Sequence, residues 1–230
     1  MRIRRVHVRL RPHVYAAQET QVTVAALYVQ RGGVYWDLEG VDAWDEARDA
    51  RLYAGPHPVV AHPPCGRWSM LAKLVQATSG HKLGDDGGCF EAALRSVRAH
   101  GGVLEHPAWS WAFKRYDLGV PRAGSWQRML CGGWTTHVNQ AAYGHPATKA
   151  TWLYYVGDVA PPPLDWRDVR GTHVIGAGRR RGDGSWYSTD KPSIKKGDRI
   201  KTPLPFRDLL LAIARQSRPP LANLPHPDMG

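Results

Sequence analysis

The chain contains the stretch Pro58-Val59-Val60-Ala61-His62-Pro63-Pro64-Cys65, in which a short apolar run leads into two prolines and a cysteine. Because apolar residues here are bracketed by proline-rich turns, the stretch predicts a short strand over residues 58–62. Each proline fixes its own φ and restricts the residue before it. The sequence therefore predicts that the thiol of Cys65 lies on a stiff turn where this strand ends.

A helix and a further strand follow along the chain. Apolar residues recur every three or four positions over 89–100, which predicts an amphipathic helix, and Gly101-Gly102 ends it. Val103-Leu104-Glu105 predicts the next strand. An alternation of strand, helix and strand is typical of a parallel α/β sheet, whose ligand crevice lies at the carboxyl ends of the strands. We therefore expect Cys65 and Glu105 at the same edge of one sheet.

The region before this stretch is short. A β-branched and apolar run predicts a buried strand over residues 22–29, and an acidic stretch over 44–51 is interpreted as a helix. Only 35 residues lie between Val29 and Cys65, whereas one βαβ unit takes about 30 or more. Two complete units do not fit, so the N-terminal half of the fold is expected to be shortened.

The second half of the chain adds three features. Strand-like segments at 136–140 and 151–156, joined by a wide loop, predict a β-hairpin. Residues 176–201 are rich in Gly, Arg, Lys, Asp and Ser and indicate a basic loop insert, and residues 206–215 predict a C-terminal amphipathic helix. The expected architecture over residues 1–230 is a single α/β domain with a Rossmann-like, mostly parallel sheet.

The charge of the chain favours a polyanionic partner. It has 31 Lys and Arg against 20 Asp and Glu, a formal net charge of +11 and a pI near 9.9. Nucleic acid is the expected partner, since cationic side chains release counterions from a phosphate backbone. A merely basic enzyme is the alternative.

The insert carries the densest basic run. We interpret Arg179, Arg180 and Arg181 as DNA phosphate contacts, with Trp186 available to stack on an exposed base. The alternative interpretation is a solvated charge run without a ligand.

Several classes of protein are disfavoured. No apolar run approaches the roughly 20 residues of a membrane span, and the basic N-terminus lacks the apolar core of a secretory signal. The three cysteines, Cys65, Cys89 and Cys131, form no CxxC pair, which argues against a disulfide framework. A reducing cytoplasm is the expected location.

Three ordered elements carry a resemblance to a known family. Pro63, Pro64, Cys65 and Ser69 match a PPCxxxS motif, and the element at residues 105–107 reads Glu-His-Pro. Residues 143–153 match YGHPxxKxTWL. With these elements the chain resembles the DNA cytosine-5 methyltransferases, and in particular their compact phage and prophage relatives. The resemblance covers about residues 58–156.

The resemblance implies a methyltransferase-type fold and a covalent mechanism on cytosine in DNA. In the family a cysteine thiolate adds to C6 of the ring and a glutamic acid at N3 takes up the displaced charge, roles that fall here on Cys65 and Glu105. Arg67 or a helix N-terminus is expected to lower the pKa of Cys65, and burial to raise that of Glu105. The catalytic set is completed by Ser69, and contact with DNA or the base is expected from Pro64, Arg67, Lys149, Arg179, Arg180, Arg181 and Trp186.

The methyl donor implied by the resemblance is S-adenosylmethionine, and the implied host is a phage-infected or lysogenic bacterium. The family binds this donor with a glycine-rich turn after its first strand, yet here Gly32-Gly33 is the only glycine pair in that place and no FxGxG occurs. Asp37, Glu39 and Asp42 are candidate ribose ligands, but each is also an ordinary loop acid. No donor residue is assigned.

Three alternatives remain open at this level. The same cysteine and glutamate could transfer a group from a different one-carbon donor. The chain could instead be an inactive DNA-binding module. A zinc site for base deamination could be assembled from His57, His62, Cys65, His81, Cys89 and His106, although the HxE and PCxxC pattern of deaminases is absent.

Overall fold

A computed structural model of the protein describes residues 22–130, 132–175, 179–180, 186–187 and 190–217. Its centre is a seven-stranded sheet. The strands are β1 (Val24–Leu27), β2 (Val41–Trp44), β3 (Val59–Ala61), β4 (Gly102–Pro107), β5 (Gln127–Arg128), β6 (Trp134–Asn139) and β7 (Ala150–Val156). Across the sheet they lie in the order β2-β1-β3-β4-β7-β6-β5.

Helices cover both faces of the sheet, because its central strands bury side chains on both sides. The helices are α1 (Ala72–Ser79), α2 (Cys89–His100), α3 (Trp111–Arg115) and α4 (Leu204–Gln216). Successive residues of β1 alternate between the two cores: Ala25 and Leu27 pack with Phe90 and Leu94 of α2, while Val24 and Ala26 pack with Phe206 and Leu210 of α4. The period of two along the strand thus gives a three-layer α/β domain.

The sheet is mixed: its first half is parallel, as predicted and as a Rossmann-like fold requires, and its second half is antiparallel. β2, β1, β3 and β4 are parallel neighbours. β7 runs antiparallel to both β4 and β6, and β5 is antiparallel to β6. The predicted hairpin of β6 and β7 exists, but it extends the main sheet by its pairing with β4.

The strand order creates a crevice beside β1. The chain leaves β1, adds β2 on one side and then crosses to add β3 on the other. Such a reversal is a topological switch point, where α/β sheets hold ligands at the carboxyl ends of their strands. This edge contains the ends of β1 and β3 and therefore the residues that follow Ala61.

Most of the predicted elements are confirmed in place, and one is wrong. The strands over 22–29 and 58–62 and the helices over 89–100 and 206–215 correspond to β1, β3, α2 and α4. The expected helix over 44–51 does not form, since Trp44 ends strand β2 and only a short 3-10 turn, Ala50–Leu52, follows.

The basic insert is described only in part. Arg179–Arg180 and Trp186–Tyr187 form two short strands, β8 and β9, paired antiparallel, while Arg181 lies outside the described residues. Within the described ranges, no helix combines the length and the apolar character needed to cross a bilayer.

Candidate active site

Cys65 lies on the turn that follows β3. The amide of His62 donates to the carbonyl of Leu27 at 3.0 Å, which prolongs the pairing with β1 by one residue beyond the strand. The two prolines then redirect the chain. The carbonyl of Cys65 accepts from the amides of Trp68 and Ser69 at 3.0 and 2.9 Å. The thiol is thereby held half-buried at the end of the central strand pair, as the sequence predicts.

Glu105 lies on the neighbouring strand at the same edge. Ala61 pairs with Leu104 in the β3–β4 register, so the next residues, His62 and Glu105, are adjacent. Only 9% of Glu105 is exposed. Its Oε2 accepts from His62 Nδ1 at 3.0 Å, and its Oε1 accepts from Gln140 Nε2 at 3.1 Å. Both oxygens of the carboxylate are therefore fixed.

A chain of polar contacts extends from this carboxylate. His62 Nε2 lies 2.9 Å from the hydroxyl of Tyr35, a side chain that is only 3% exposed. On the other side, Gln140 Nε2 also donates to Thr151 Oγ1 at 2.9 Å. These contacts join the loop after β1, the end of β3, β4 and the β6–β7 pair around Glu105.

The ionisation of Glu105 differs from the sequence-based prediction. Burial raises the pKa of Glu105, but the hydrogen bond from His62 and the positive charges of Lys149 and His62 outweigh it and lower the pKa to about 2. The expectation that burial keeps this acid protonated is therefore wrong. Glu105 is a carboxylate at neutral pH.

The pKa of Cys65 is also shifted against expectation. Burial raises it, the negative charge of Glu105 raises it further, and Lys149 lowers it. The cation that favours the thiolate is thus Lys149 on the loop before β7, and Arg67, which is half-buried near the turn, does not contribute. The net result is a thiol with a raised pKa.

We expect the reactivity of the thiol to follow these two charges in opposite directions. At pH 8, Lys149→Gln should slow alkylation of Cys65 by iodoacetamide severalfold, because it removes the charge that stabilises the thiolate. Glu105→Gln should accelerate it for the converse reason. The measurement is the pH dependence of alkylation, read by mass spectrometry of the Cys65 peptide so that Cys89 is counted separately.

Arg67→Gln is the matched control for this experiment, since it removes one positive charge two residues from the thiol. Arg67→Gln should leave the pH dependence of Cys65 alkylation unchanged. If Arg67→Gln shifted the pH profile of alkylation as much as Lys149→Gln does, Arg67 would be the cation that favours the thiolate, and the assignment of Lys149 would be wrong.

The structure places some of the remaining predicted site residues near Cys65 and does not describe the side chains of the others. Ser69 is held beside Cys65 by its amide, and Pro64 is exposed on the same turn. Lys149 acts on both catalytic candidates. For Arg179, Arg180 and Trp186 only the backbone is described, so their contact with DNA stays a prediction, as does that of Arg181.

The sequence did not predict that Tyr35, His62 and Gln140 belong to the site. The structure joins these three residues in one hydrogen-bonded network around Glu105. His62 carried a signal, because it stands in the same proline-rich run as Cys65, three positions earlier. Gln140 falls at the end of the strand-like segment at 136–140, and that pattern alone assigns it no role. Tyr35 carried no signal, since its place depends on the path of the loop after β1.

Near the ends of β1 and β2, Asp42 and Asp45 are already engaged within the protein, which makes these two carboxylates poor ligands for S-adenosylmethionine. Asp42 accepts from Trp44 Nε1 at 2.7 Å and from Arg48 at 2.6 Å, and Asp45, which directly follows β2, is 7% exposed and accepts the amide of Arg48 at 3.0 Å. A Cβ at Gly33 would lie 2.8 Å from the carbonyl oxygen of Gln30, so that glycine is explained by its own turn. Asp42 and Asp45 therefore have internal partners, whereas Asp37 and Glu39 are exposed and a Cβ at Gly32 would meet nothing within 4 Å.

Two further observations bear on identity. Among the described side chains, no group of three or more His, Cys, Asp or Glu residues is arranged to hold a metal ion. Comparison of the chain with protein-family models, with curated proteins and with solved structures gives no match.

Proposed function

We propose that the protein modifies C5 of cytosine in DNA through a covalent bond between Cys65 and C6 of the ring. The observation that supports this most is the pairing of a half-buried thiol with a fixed carboxylate at the carboxyl edge of adjacent parallel strands. The negative charge of Glu105 raises the pKa of Cys65, which is consistent with two groups at one edge of the sheet. Lys149 acts on both.

The chemistry follows from the electronic structure of cytosine. The thiolate of Cys65 bonds to C6, the C5–C6 π electrons move to C4–C5, and the C4–N3 pair moves onto N3, which accepts a proton. The ring is then an enamine that is nucleophilic at C5. C5 then bonds to the carbon of an electrophilic donor, and the bond between that carbon and its leaving group breaks. Loss of the C5 proton to a base, departure of the thiolate and return of the N3 proton to the Glu105–His62 pair restore the aromatic ring.

Glu105 and His62 together supply the proton at N3. Glu105 itself is ionised at neutral pH, but His62 Nδ1–H donates to its Oε2 at 3.0 Å. A protonated His62 can pass its proton to the carboxylate as the ring nitrogen becomes basic. Tyr35 orients His62 through the contact at Nε2.

Gln140 supports cytosine as the base. Its Oε1 is buried and has no hydrogen-bond partner among the described residues, while its Nε2 is committed to Glu105 and Thr151. A buried acceptor without a partner favours a ligand that donates. The 4-amino group of cytosine donates, whereas O4 of thymine or uracil would face Oε1 as a second acceptor.

DNA is the proposed partner, and the base must leave the stack or be single-stranded to reach the thiol. The net charge of +11 favours such a polyanion. By the resemblance, the protein works in the cytoplasm of a phage-infected or lysogenic bacterium.

Methyl transfer from S-adenosylmethionine is the default reaction by resemblance alone. Because the sequence has no glycine-rich donor motif and Asp42 and Asp45 have internal partners, transfer from a different one-carbon donor is the second candidate. A DNA-binding module without catalysis is the third.

Nucleoside mass spectrometry separates these candidates. DNA from the native host expressing the protein should contain a cytosine derivative of altered mass, which should be absent when Cys65→Ala or Glu105→Ala is expressed instead. A gain of one methyl group would indicate S-adenosylmethionine, and another mass a different donor.

Cys89→Ala provides the control, since it removes a second cysteine, at the start of α2, that the proposed chemistry does not use. Unmodified cytosine in the native host, combined with DNA binding that is indifferent to Cys65, would exclude the enzymatic function and leave the binding module.

A further inference from the structure

A cavity of about 460 Å³ lies beside the candidate active site. Its walls are the β6–β7 connection, the turn after β1 at Val34 and the segment that leads into α4. This volume is within the range of small-molecule sites. The polar side chains that line it are His145, His173, Ser193, Lys195, Asp198 and Lys201, joined by Thr202.

The N-terminus of α4 opens into this cavity. Pro203 and Leu204 line the wall, and Pro203 is the N-cap and supplies no side-chain hydrogen bond to the helix. The first amides of a helix have no intrahelical acceptor and carry the positive end of its dipole. α4 has 13 residues and is long enough to develop that dipole. Pro203 and Pro205 have no N–H, so the amides of Leu204 and Phe206 are the donors that this helix N-terminus can offer to an anion.

His145 is an independent indication of a ligand. The residue is 3% exposed, and its Nε2 forms no hydrogen bond of ordinary length among the described residues, although the backbone of Asp198 on the same cavity wall interacts with the ring. Its Nδ1 lies 2.7 Å from the carbonyl oxygen and 3.0 Å from the amide nitrogen of Ala147, so the local backbone satisfies that atom alone. A buried ring nitrogen that lacks a hydrogen bond of ordinary length at the wall of a cavity points to an occupant that completes it.

The charged groups at the mouth have a positive balance. Lys195 and Lys201 line the cavity with one acid, Asp198, which pairs with Lys201 at 2.7 Å. Lys149 adds a third positive charge, since its Nζ donates to the carbonyl of Lys201 at 3.5 Å. Two lysines, a helix N-terminus and an imidazole together match the oxygens of a phosphate ester.

We propose that this cavity binds the phosphate of the pyrimidine nucleotide whose base reacts at Cys65, an inference that rests on the function proposed above. Lys149 links this cavity to the reacting groups. Its Nζ donates to the carbonyl of Lys201 on the cavity wall, and its positive charge lowers the pKa of both Cys65 and Glu105. The volume exceeds the need of one phosphate group and leaves room for the adjoining sugar. The nucleotide can be a free monophosphate or a residue of a DNA strand, since both offer the same phosphate oxygens.

The experiment compares three probes on the full chain by titration calorimetry: deoxycytidine, deoxycytidine 5′-monophosphate and a thymine oligonucleotide with one cytosine. A second oligonucleotide replaces the phosphates that flank the cytosine with neutral methylphosphonates. The wild type should bind a phosphate-bearing probe about tenfold or more tightly than its phosphate-free counterpart. Lys195→Gln combined with Lys201→Gln should remove that difference.

Lys82→Gln combined with Lys114→Gln is the matched control, because both lysines are exposed and lie outside the cavity lining. It removes the same charge and should keep the phosphate preference. Circular dichroism verifies that both double variants are folded.

The outcomes separate the sources of the phosphate. A preference shown by the monophosphate supports the proposal with a free nucleotide as ligand, and one shown by the oligonucleotides alone supports it with DNA. The proposal is overturned if the cavity variant and the control variant bind every probe with the same affinity. It is also overturned if the wild type binds deoxycytidine as tightly as its monophosphate and the methylphosphonate oligonucleotide as tightly as the unmodified one.

Failure here is distinct from failure of the proposed function. Both lysine variants retain Cys65 and Glu105, so covalent trapping of DNA by the wild type without any phosphate preference would reject only the cavity. Phosphate-dependent binding without trapping would reject only the covalent chemistry.

Discussion

Cys65→Ala should abolish a covalent complex that the wild type forms with DNA containing 5-fluorocytosine. The thiolate adds to C6 and C5 receives the transferred group, but fluorine at C5 cannot leave as a proton, so the thioether persists. The complex should run as a shifted band on denaturing gels when wild-type protein, DNA and candidate donors are mixed. The expected difference is all or none, because alanine offers no nucleophile.

Cys65→Ser is the stricter variant, since it keeps the size of the side chain. It should also fail to trap DNA, because a hydroxyl without an adjacent base is a poor nucleophile near neutral pH. Ordinary cytosine in the same sequence serves as the control that releases the enzyme. An equal yield of complex from Cys65→Ala, or a cross-link that maps to Cys89, would show that the nucleophile is misassigned.

The placement of the two catalytic candidates could be predicted from the sequence because it depends on local patterns. Each follows or ends a short buried run, and parallel strands bring their carboxyl ends to one edge. The apolar periodicity of α2 and α4 is likewise strong, and both helices form where predicted. These elements are specified by residues close to one another in the chain.

The predictions of the fold are wrong where contacts between distant segments of the chain determine the structure. β2 is an edge strand whose residues are only half-buried, so its sequence lacks the continuous apolar run of a central strand. The acidic residues that follow it led to the wrong prediction of a helix. The antiparallel course of β7 beside β4 depends on pairing between segments over 40 residues apart, as in Glu105 with Leu153. Sequence periodicity carries no information on that choice.

The ionisation of the site could not be predicted for the same reason. Whether Glu105 is a buried acid or a buried carboxylate depends on His62, which is 43 residues earlier, and on Lys149. The position of His62 opposite Glu105 is fixed by the β3–β4 register. Burial, which the sequence did indicate, acts in the opposite direction and is outweighed.

This ionisation has a kinetic consequence. Thiolate formation at Cys65 requires a rise in pH, because burial and Glu105 raise its pKa. Glu105, with its pKa near 2, is already ionised over the whole range in which the thiolate forms. The rate of trapping or transfer should therefore rise with pH above neutrality as the Cys65 thiolate forms.

Glu105→Gln should lower the rate of trapping and transfer by roughly 10² to 10⁴. The amide preserves the shape of the side chain but can neither relay the proton of His62 nor match the charge that develops at N3. His62→Asn should keep a hydrogen-bond donor near Glu105 while removing the imidazole that passes the proton on, so it should also lower the rate but keep the rise with pH that Cys65 sets. Tyr35→Phe is the control, since it removes only the contact at His62 Nε2 and should cause a modest loss of rate. A wild-type rate preserved within about threefold in both Glu105→Gln and His62→Asn would show that the proton reaches the ring by another path.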